Sequence, residues 1–264
     1  MKGRVLIVAG SDSGGGAGIQ ADVKTVTMLG GYAMTAITAL TAQNTQGVFG
    51  VLNIPPEFVA QQITLCLDDI GADVVKTGML STAPIVEAVA AAIPAHIPLV
   101  VDPVMVAKGG ASLLEDSAAS ALKKHLIPRA FVLTPNLPEA EALLGRALTS
   151  VAAMEEGAKA LLALGPQAVL LKGGHLPGAE VVDVLATREG VRRFTSLRLE
   201  STSTHGTGCT LASALATSLA QGLPLESAVA RARNYVLEAI RTAPGLGQGH
   251  GPLNHSHPLG DTTP

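Results

Sequence analysis

Short apolar runs alternate with longer amphipathic stretches along nearly the whole chain, and no other feature restricts its fold as much. Val5–Ala9, Met34–Leu40, Val74–Thr77, Leu99–Val101, Phe131–Leu133 and Ala168–Leu171 read as strands. Ile19–Leu29 reads as a helix with Ile19, Val23 and Val26 on one face and Gly30-Gly31 as its stop. Pro56–Ile70 carries Val59, Ile63, Cys66, Leu67 and Ile70 at helical spacing, and Ala83–Ala92, Ser117–His125, Pro138–Leu144 and Met154–Leu164 are predicted helices too. Val181–Ala186 and Arg192–Leu199 read as a strand pair across Arg188-Glu189-Gly190, and helices over Gly208–Ala220 and Leu225–Thr242 follow. Strand and helix in alternation imply an α/β fold, a mostly parallel sheet with helices on both faces. No linker or internal repeat divides the chain, so one domain is expected over residues 1–264, with an irregular tail from Gly245.

Composition removes several function classes. Hydrophobic residues make up 47% of the 264 residues and charged ones 15%, ample for a sizeable core. Aromatics are 2% with no Trp, which argues against a surface that stacks on bases. The net charge is −3 and no long basic run occurs, so neither nucleic acid nor an anionic membrane is an expected partner. Cys66 and Cys209 are the only cysteines and stand far apart. That spacing predicts no disulfide framework and suits a reducing cytoplasm. Val5–Ala9 is too short for a signal core or a spanning helix, so a soluble cytoplasmic protein is expected.

In open parallel sheets ligands sit beyond the carboxyl ends of the strands. Polar and glycine-rich segments lie there: Gly10–Gly18, Gln43-Asn44, Thr77-Gly78, Asp102-Pro103, Thr134-Pro135-Asn136 and Lys172-Gly173-Gly174-His175. That concentration predicts an enzyme cleft. Gly206-Thr207-Gly208-Cys209 opens a predicted helix, where unpaired N–H groups and the dipole make an anion site. Cys209 there is expected to have a lowered pKa, as a base, a hydrogen-bond partner or a redox thiol, or else to be a small buried residue. Gly16, Gly18 and Ala21 fit a dinucleotide turn, but no carboxylate lies in Ala36–Gln43 to hold a ribose. Asp12 and Asp22 flank that turn as substrate ligands or helix caps. No P-loop is present, although Lys172 can still reach a nucleotide phosphate. Asp102, Asn136 and Glu139 make sense together as oxygen ligands of a Mg²⁺–nucleotide. Each alone reads equally as a turn residue or a first-turn charge. His250, His255 and His257 lack the spacing of a zinc site, and His257 is expected in a disordered tail.

Several long motifs then point the same way. Ala9-Gly10-Ser11-Asp12-Ser13-Gly14-Gly15-Gly16-Ala17-Gly18-Ile19-Gln20-Ala21-Asp22 and Thr38-Ala39-Leu40-Thr41-Ala42-Gln43-Asn44-Thr45 resemble hydroxymethylpyrimidine/phosphomethylpyrimidine kinases. So, in order, do Asp102-Pro103-Val104-Met105, Thr134-Pro135-Asn136-Leu137-Pro138-Glu139-Ala140, Lys172-Gly173-Gly174-His175, Thr204–Thr210 and Gly249–His255. The resemblance implies a ribokinase-like three-layer sandwich. It implies transfer of the γ-phosphoryl of ATP, with Mg²⁺, to the hydroxymethyl of 4-amino-5-hydroxymethyl-2-methylpyrimidine. A second transfer to the resulting monophosphate serves thiamine synthesis. It places Gln43 on the aminopyrimidine edge, with Asp22, Gly10 and Met79 lining that pocket. It gives Asp102 and Glu139 to Mg²⁺, Lys172 and Asn136 to the nucleotide, and Gly206, Thr207, Gly208 and Cys209 to the anion hole. The wider superfamily usually has Asp where Cys209 stands. A homo-oligomer, a dimer, is expected. Pyridoxal kinase is the neighbouring reading; a nicotinamide dehydrogenase and a catalytically dead pyrimidine sensor are those of other classes.

Overall fold

The computed structural model describes residues 2–105 and 116–260. The first half of the chain runs β1 (Arg4–Asp12), α1 (Gly18–Met28), β2 (Tyr32–Asn44), β3 (Gly47–Asn53), α2 (Pro56–Asp69), β4 (Val74–Thr77), α3 (Ala83–Ala92) and β5 (Leu99–Val101). The second half adds α4 (Asp116–His125), β6 (Val132–Leu133), α5 (Leu137–Leu144), α6 (Val151–Leu162) and β7 (Ala168–Leu171). It closes with β8 (Glu180–Thr187), β9 (Gly190–Leu197), α7 (Thr207–Ala220) and α8 (Leu225–Arg241).

One sheet takes the order β3-β2-β1-β4-β5-β6-β7-β8-β9. β2, β1, β4, β5, β6 and β7 are parallel, while β3, β8 and β9 pair antiparallel. The two-residue period of β1 sorts its side chains into two cores. Val5, Ile7 and Ala9 pack toward α1, α7 and α8, whereas Leu6 and Val8 pack toward the helices of the other face. Such a strand yields no polar face, which is why it reads as a continuous apolar run. Helix α7 is buried throughout Thr210–Ser218, so its start is held rigidly against the sheet. The chain leaves β1 for β2 on one side and returns to β4 on the other. That switch point opens a crevice at the carboxyl end of β1.

Three features depart from the expectation. Strand β3 was not predicted: Gly47 and Gly50 interrupt its apolar pattern, and as an edge strand it stays largely exposed. Pairing with it extends β2 to Asn44, beyond the expected end at Leu40. The tail lacks long elements but is not loose. His250 N–H donates to Thr45 O (2.8 Å), His205 N–H to Gly251 O (3.1 Å) and Tyr235 OH to His255 O (2.7 Å). His257 also lies against Tyr235, with ring centroids 4.6 Å apart, so the disorder expected for it is corrected. Among the described residues no helix is long and apolar enough to cross a membrane.

Candidate active site

A cleft of about 620 Å³ lies at the carboxyl ends of the parallel strands. Its first wall is the turn after β1. Asp12 is almost fully buried; its Oδ1 accepts the N–H of Gly14 (2.7 Å), and its Oδ2 those of Gly16 (3.0 Å) and Ala17 (2.8 Å). These are donors that a dinucleotide pyrophosphate would require, so the turn carries its own internal anion. Burial alone would raise the Asp12 pKa. The His205 imidazole and the N–H groups of Ala17 and Gly14 outweigh it and hold the carboxyl below the usual range. His205 Nε2 is 2.8 Å from Asp12 Oδ2 and 3.2 Å from Gln43 Nε2. Gly10 and Met79 meet in this wall, and Thr38 Oγ1 donates to Met79 O at 2.7 Å.

The adjoining wall is the start of α7. Gly206 has φ +80°, and a Cβ there would lie 1.9 Å from Gly16 O, so glycine alone fits. Helical bonding begins at Thr210 N–H to Gly206 O (2.9 Å). The N–H groups of Gly208 and Cys209 therefore have no acceptor within the helix. A Cβ on Gly208 would lie 3.2 Å from Lys172 Nζ and 3.8 Å from Asp102 Oδ2, so this cradle, the lysine and the carboxylate converge. Cys209 sits on the cavity wall. The expected lowering of its pKa is corrected: burial, the largest influence, pushes the thiol up to about 12. Asp22 and Asp102 add to that rise, while Lys76 and the Gly18 N–H oppose it. At neutral pH Cys209 is a thiol.

Three ionisable groups also line the cavity. Asp102 Oδ1 accepts from Lys172 Nζ (2.9 Å) and Thr134 Oγ1 (3.0 Å). Burial works against charge on Lys172, but Asp102 and Glu139 outweigh it and raise its pKa. Glu139 is pushed up to about 7, by burial first and by Asp102, with Lys172 opposing. Glu139 and Asn136 form a capping box at the start of α5: Asn136 N–H donates to Glu139 Oε2 (2.7 Å) and Glu139 N–H to Asn136 Oδ1 (2.9 Å). The Asn136 side-chain oxygen is thus committed to the helix, and its NH₂ is the group left for a nucleotide.

Asp22 is not in the cavity wall. It is fully buried, accepting from Lys76 Nζ (2.8 Å) and Ser213 Oγ (2.7 Å). The pocket role implied for it is corrected: an inward-facing position on α1 aims the carboxylate at the sheet, where buried Lys76 neutralises it. Sequence reasoning missed Lys76, whose cation inside an otherwise apolar strand was the available signal. It also missed Asp183 and Arg233. Asp183 accepts from Gly173 N–H (2.8 Å) and Arg233 Nε (2.8 Å), which fixes the turn carrying Lys172. Arg233 stands on the buried face of α8 beside Ala232 and Val236, a position where a cation needs a partner.

Among the described residues no three His, Cys, Asp or Glu side chains form a group able to cage a metal. Two buried carboxylates around one ammonium are nevertheless hard oxygen donors in a site short of positive charge. They suit Mg²⁺ that is held mainly by phosphates and water. The residues present fit that ion.

The chain is highly similar to known proteins. The family described as Phosphomethylpyrimidine kinase matches residues 12–254. The thiamine biosynthesis bifunctional protein ThiED of Geobacter sulfurreducens is 56% identical over 256 residues, 96% of this chain; the chain spans about half (52%) of that protein's length. The hydroxymethylpyrimidine/phosphomethylpyrimidine kinase of Bacillus subtilis is 46% identical, over 96% of this chain and 94% of its own. The crystal structure of an ADP complex of Bacillus subtilis pyridoxal kinase superposes with a TM-score of 0.89 at 38% identity, covering 97% of this chain and 98% of that one. Motifs, cleft and full-length similarity agree, and the chain belongs to the phosphomethylpyrimidine kinase family, with the ribokinase-like fold.

Proposed function

We propose that this chain phosphorylates 4-amino-5-hydroxymethyl-2-methylpyrimidine with ATP, and then its monophosphate, in thiamine synthesis. The observation that carries the reading is the convergence of Gly208, Lys172 and Asp102 at the start of α7, in the cavity that Gln43 also lines. Phosphoryl transfer needs mainly positioning and neutralisation of charge around a loose transition state. The N–H groups of Gly208 and Cys209, without acceptors in the helix, suit the stabilisation of charge that develops on a transferring phosphoryl group. Lys172, held charged by Asp102 and Glu139, pairs with nucleotide phosphate oxygens. Mg²⁺ near Asp102 and Glu139 supplies neutralisation of the phosphates when bound.

The hydroxymethyl oxygen forms the new O–P bond as the bond from the γ-phosphorus to the bridging oxygen of ADP breaks. In a loose transition state the hydroxyl proton leaves late. Cys209, a thiol in the resting site, therefore orients the hydroxyl; the proton passes to the newly transferred phosphoryl oxygens or to water. A cytoplasmic setting, rich in ATP and reducing toward the two free cysteines, accords with this chemistry. The partner macromolecule is a second copy of the chain.

Pyridoxal is the second reading, because the pyridoxal kinase similarity spans 97% of this chain. Steady-state kinetics with both alcohols separates the two. The account predicts the higher kcat/KM for the pyrimidine; a higher value for pyridoxal overturns it.

A further inference from the structure

Gln43, His205 and Asp12 form a relay that the reaction itself does not use. The ladder between β2 and β3 shifts register between Ala42 and Gln43. The extra residue of this bulge, Phe49, lies on β3, and Gln43 lines the cavity. The Gln43 backbone is pinned at both polar groups: its N–H donates to Ser13 Oγ (2.9 Å), and its carbonyl accepts from that hydroxyl (2.7 Å). A half-turn of the terminal amide exchanges its oxygen with its NH₂. The hydrogen-bond partners decide between the two.

The partners leave one consistent arrangement. Asp12 accepts three backbone N–H groups and is held ionised. A carboxylate oxygen 2.8 Å from His205 Nε2 requires a proton on that nitrogen. An N–H on Nε2 cannot accept from an amide NH₂, so an NH₂ at 3.2 Å would set donor against donor. With the Gln43 carbonyl turned to the imidazole instead, the His205 N–H is shared between Asp12 Oδ2 and Gln43 Oε1 as a three-centre bond. The Gln43 NH₂ then faces the cavity. His205 has little freedom to yield, because its backbone N–H is held by Gly251 O and its ring packs over Gly16.

We infer that Asp12 and His205 are positioning residues that lock the Gln43 amide as a donor, so that the substrate must present a ring-nitrogen acceptor to it. This deepens the proposed function and rests on it. An aminopyrimidine carries such a nitrogen beside its exocyclic amine.

Calorimetry with the pyrimidine alcohol and with its deaza analogue, in which CH replaces that ring nitrogen, tests the lock. The wild-type chain is expected to bind the pyrimidine roughly tenfold to a hundredfold more tightly, the value of one hydrogen bond left unmade. In His205→Leu that ratio is expected to fall toward one, with KM for the pyrimidine raised more than kcat is lowered. His205→Gln, whose amide can still donate to Asp12, is expected to recover part of the ratio. Equal binding of the two ligands by the wild-type chain overturns the lock even if His205→Leu does not fold. So does an undiminished ratio in a folded His205→Leu. If the wild-type chain bound and phosphorylated neither ligand, the proposed function would fall first and the lock with it.

Discussion

At the scale of single residues, charge placement carries the account. Lys76 and Asp22 form an ion pair with no exposure on either side chain. Burial opposes both charges, and the attraction of Asp22 keeps Lys76 protonated. Breaking such a pair strands the partner: Lys76→Met is expected to cost about 3–5 kcal/mol in denaturant unfolding. Replacing both, as Lys76→Met with Asp22→Leu, is expected to restore most of that. Equal losses in the single and double variants would show that packing, not charge, is at stake. Cys209 makes the second case. If the thiol only orients the hydroxyl, Cys209→Ser retains most of the turnover, while Cys209→Ala loses about tenfold, the value of one hydrogen bond. Neither is expected to change the KM for ATP. Comparable loss in both variants would make the sulfur a base. The position of Cys209 was legible in the motif, but its acidity was not. A helix start favours the thiolate, and the sequence does not display the buried surroundings and carboxylates, from Asp22 and Asp102, that outweigh it. Asp22 misled for the same reason: a carboxylate beside a glycine turn reads as a ligand until Lys76 is seen beneath it.

At the scale of elements, the C-terminal segment is a strap across the site. Glycine, proline and histidine predict irregular backbone there, and the backbone is largely irregular. What composition hides is that its partners are distant in sequence, at Thr45, His205, Thr210 and Tyr235. His255 shows the consequence. Its Nε2 is 3.0 Å from Thr210 Oγ1, and burial, with Lys24 and His257, lowers its pKa to about 4. The ordinary value is 6.5. Between those values the unfolded chain binds a proton that the folded strap refuses, so stability rises with pH. It is fully present above about pH 6.5 and is lost as pH falls toward 4, by roughly 2–3 kcal/mol for a shift of this size. Denaturant melts of wild type and His255→Asn from pH 4 to pH 7 check this. The wild-type slope should exceed that of the variant, and identical slopes would refute the assignment. Strand β3 was illegible for a different reason. An edge strand with two glycines owes its form to its neighbour β2 and not to its own pattern.

At the scale of the whole molecule, the parallel sheet was legible because both of its faces are covered and its strands read as uninterrupted apolar runs. The edges were less so, since Arg192–Leu199 was expected where β9 spans Gly190–Leu197. Sedimentation checks the proposed assembly: a dimer is expected, and a monomer at catalytic concentrations would contradict it. The central claim concerns chemistry in the cleft that this sheet opens at the switch point beside β1. Phosphorus NMR of the protein with Mg-ATP and 4-amino-5-hydroxymethyl-2-methylpyrimidine tests it most directly. The account predicts a phosphomonoester resonance growing with ADP, followed by the paired resonances of a diphosphate ester. Release of inorganic phosphate alone, or an unchanged ATP spectrum, would contradict it.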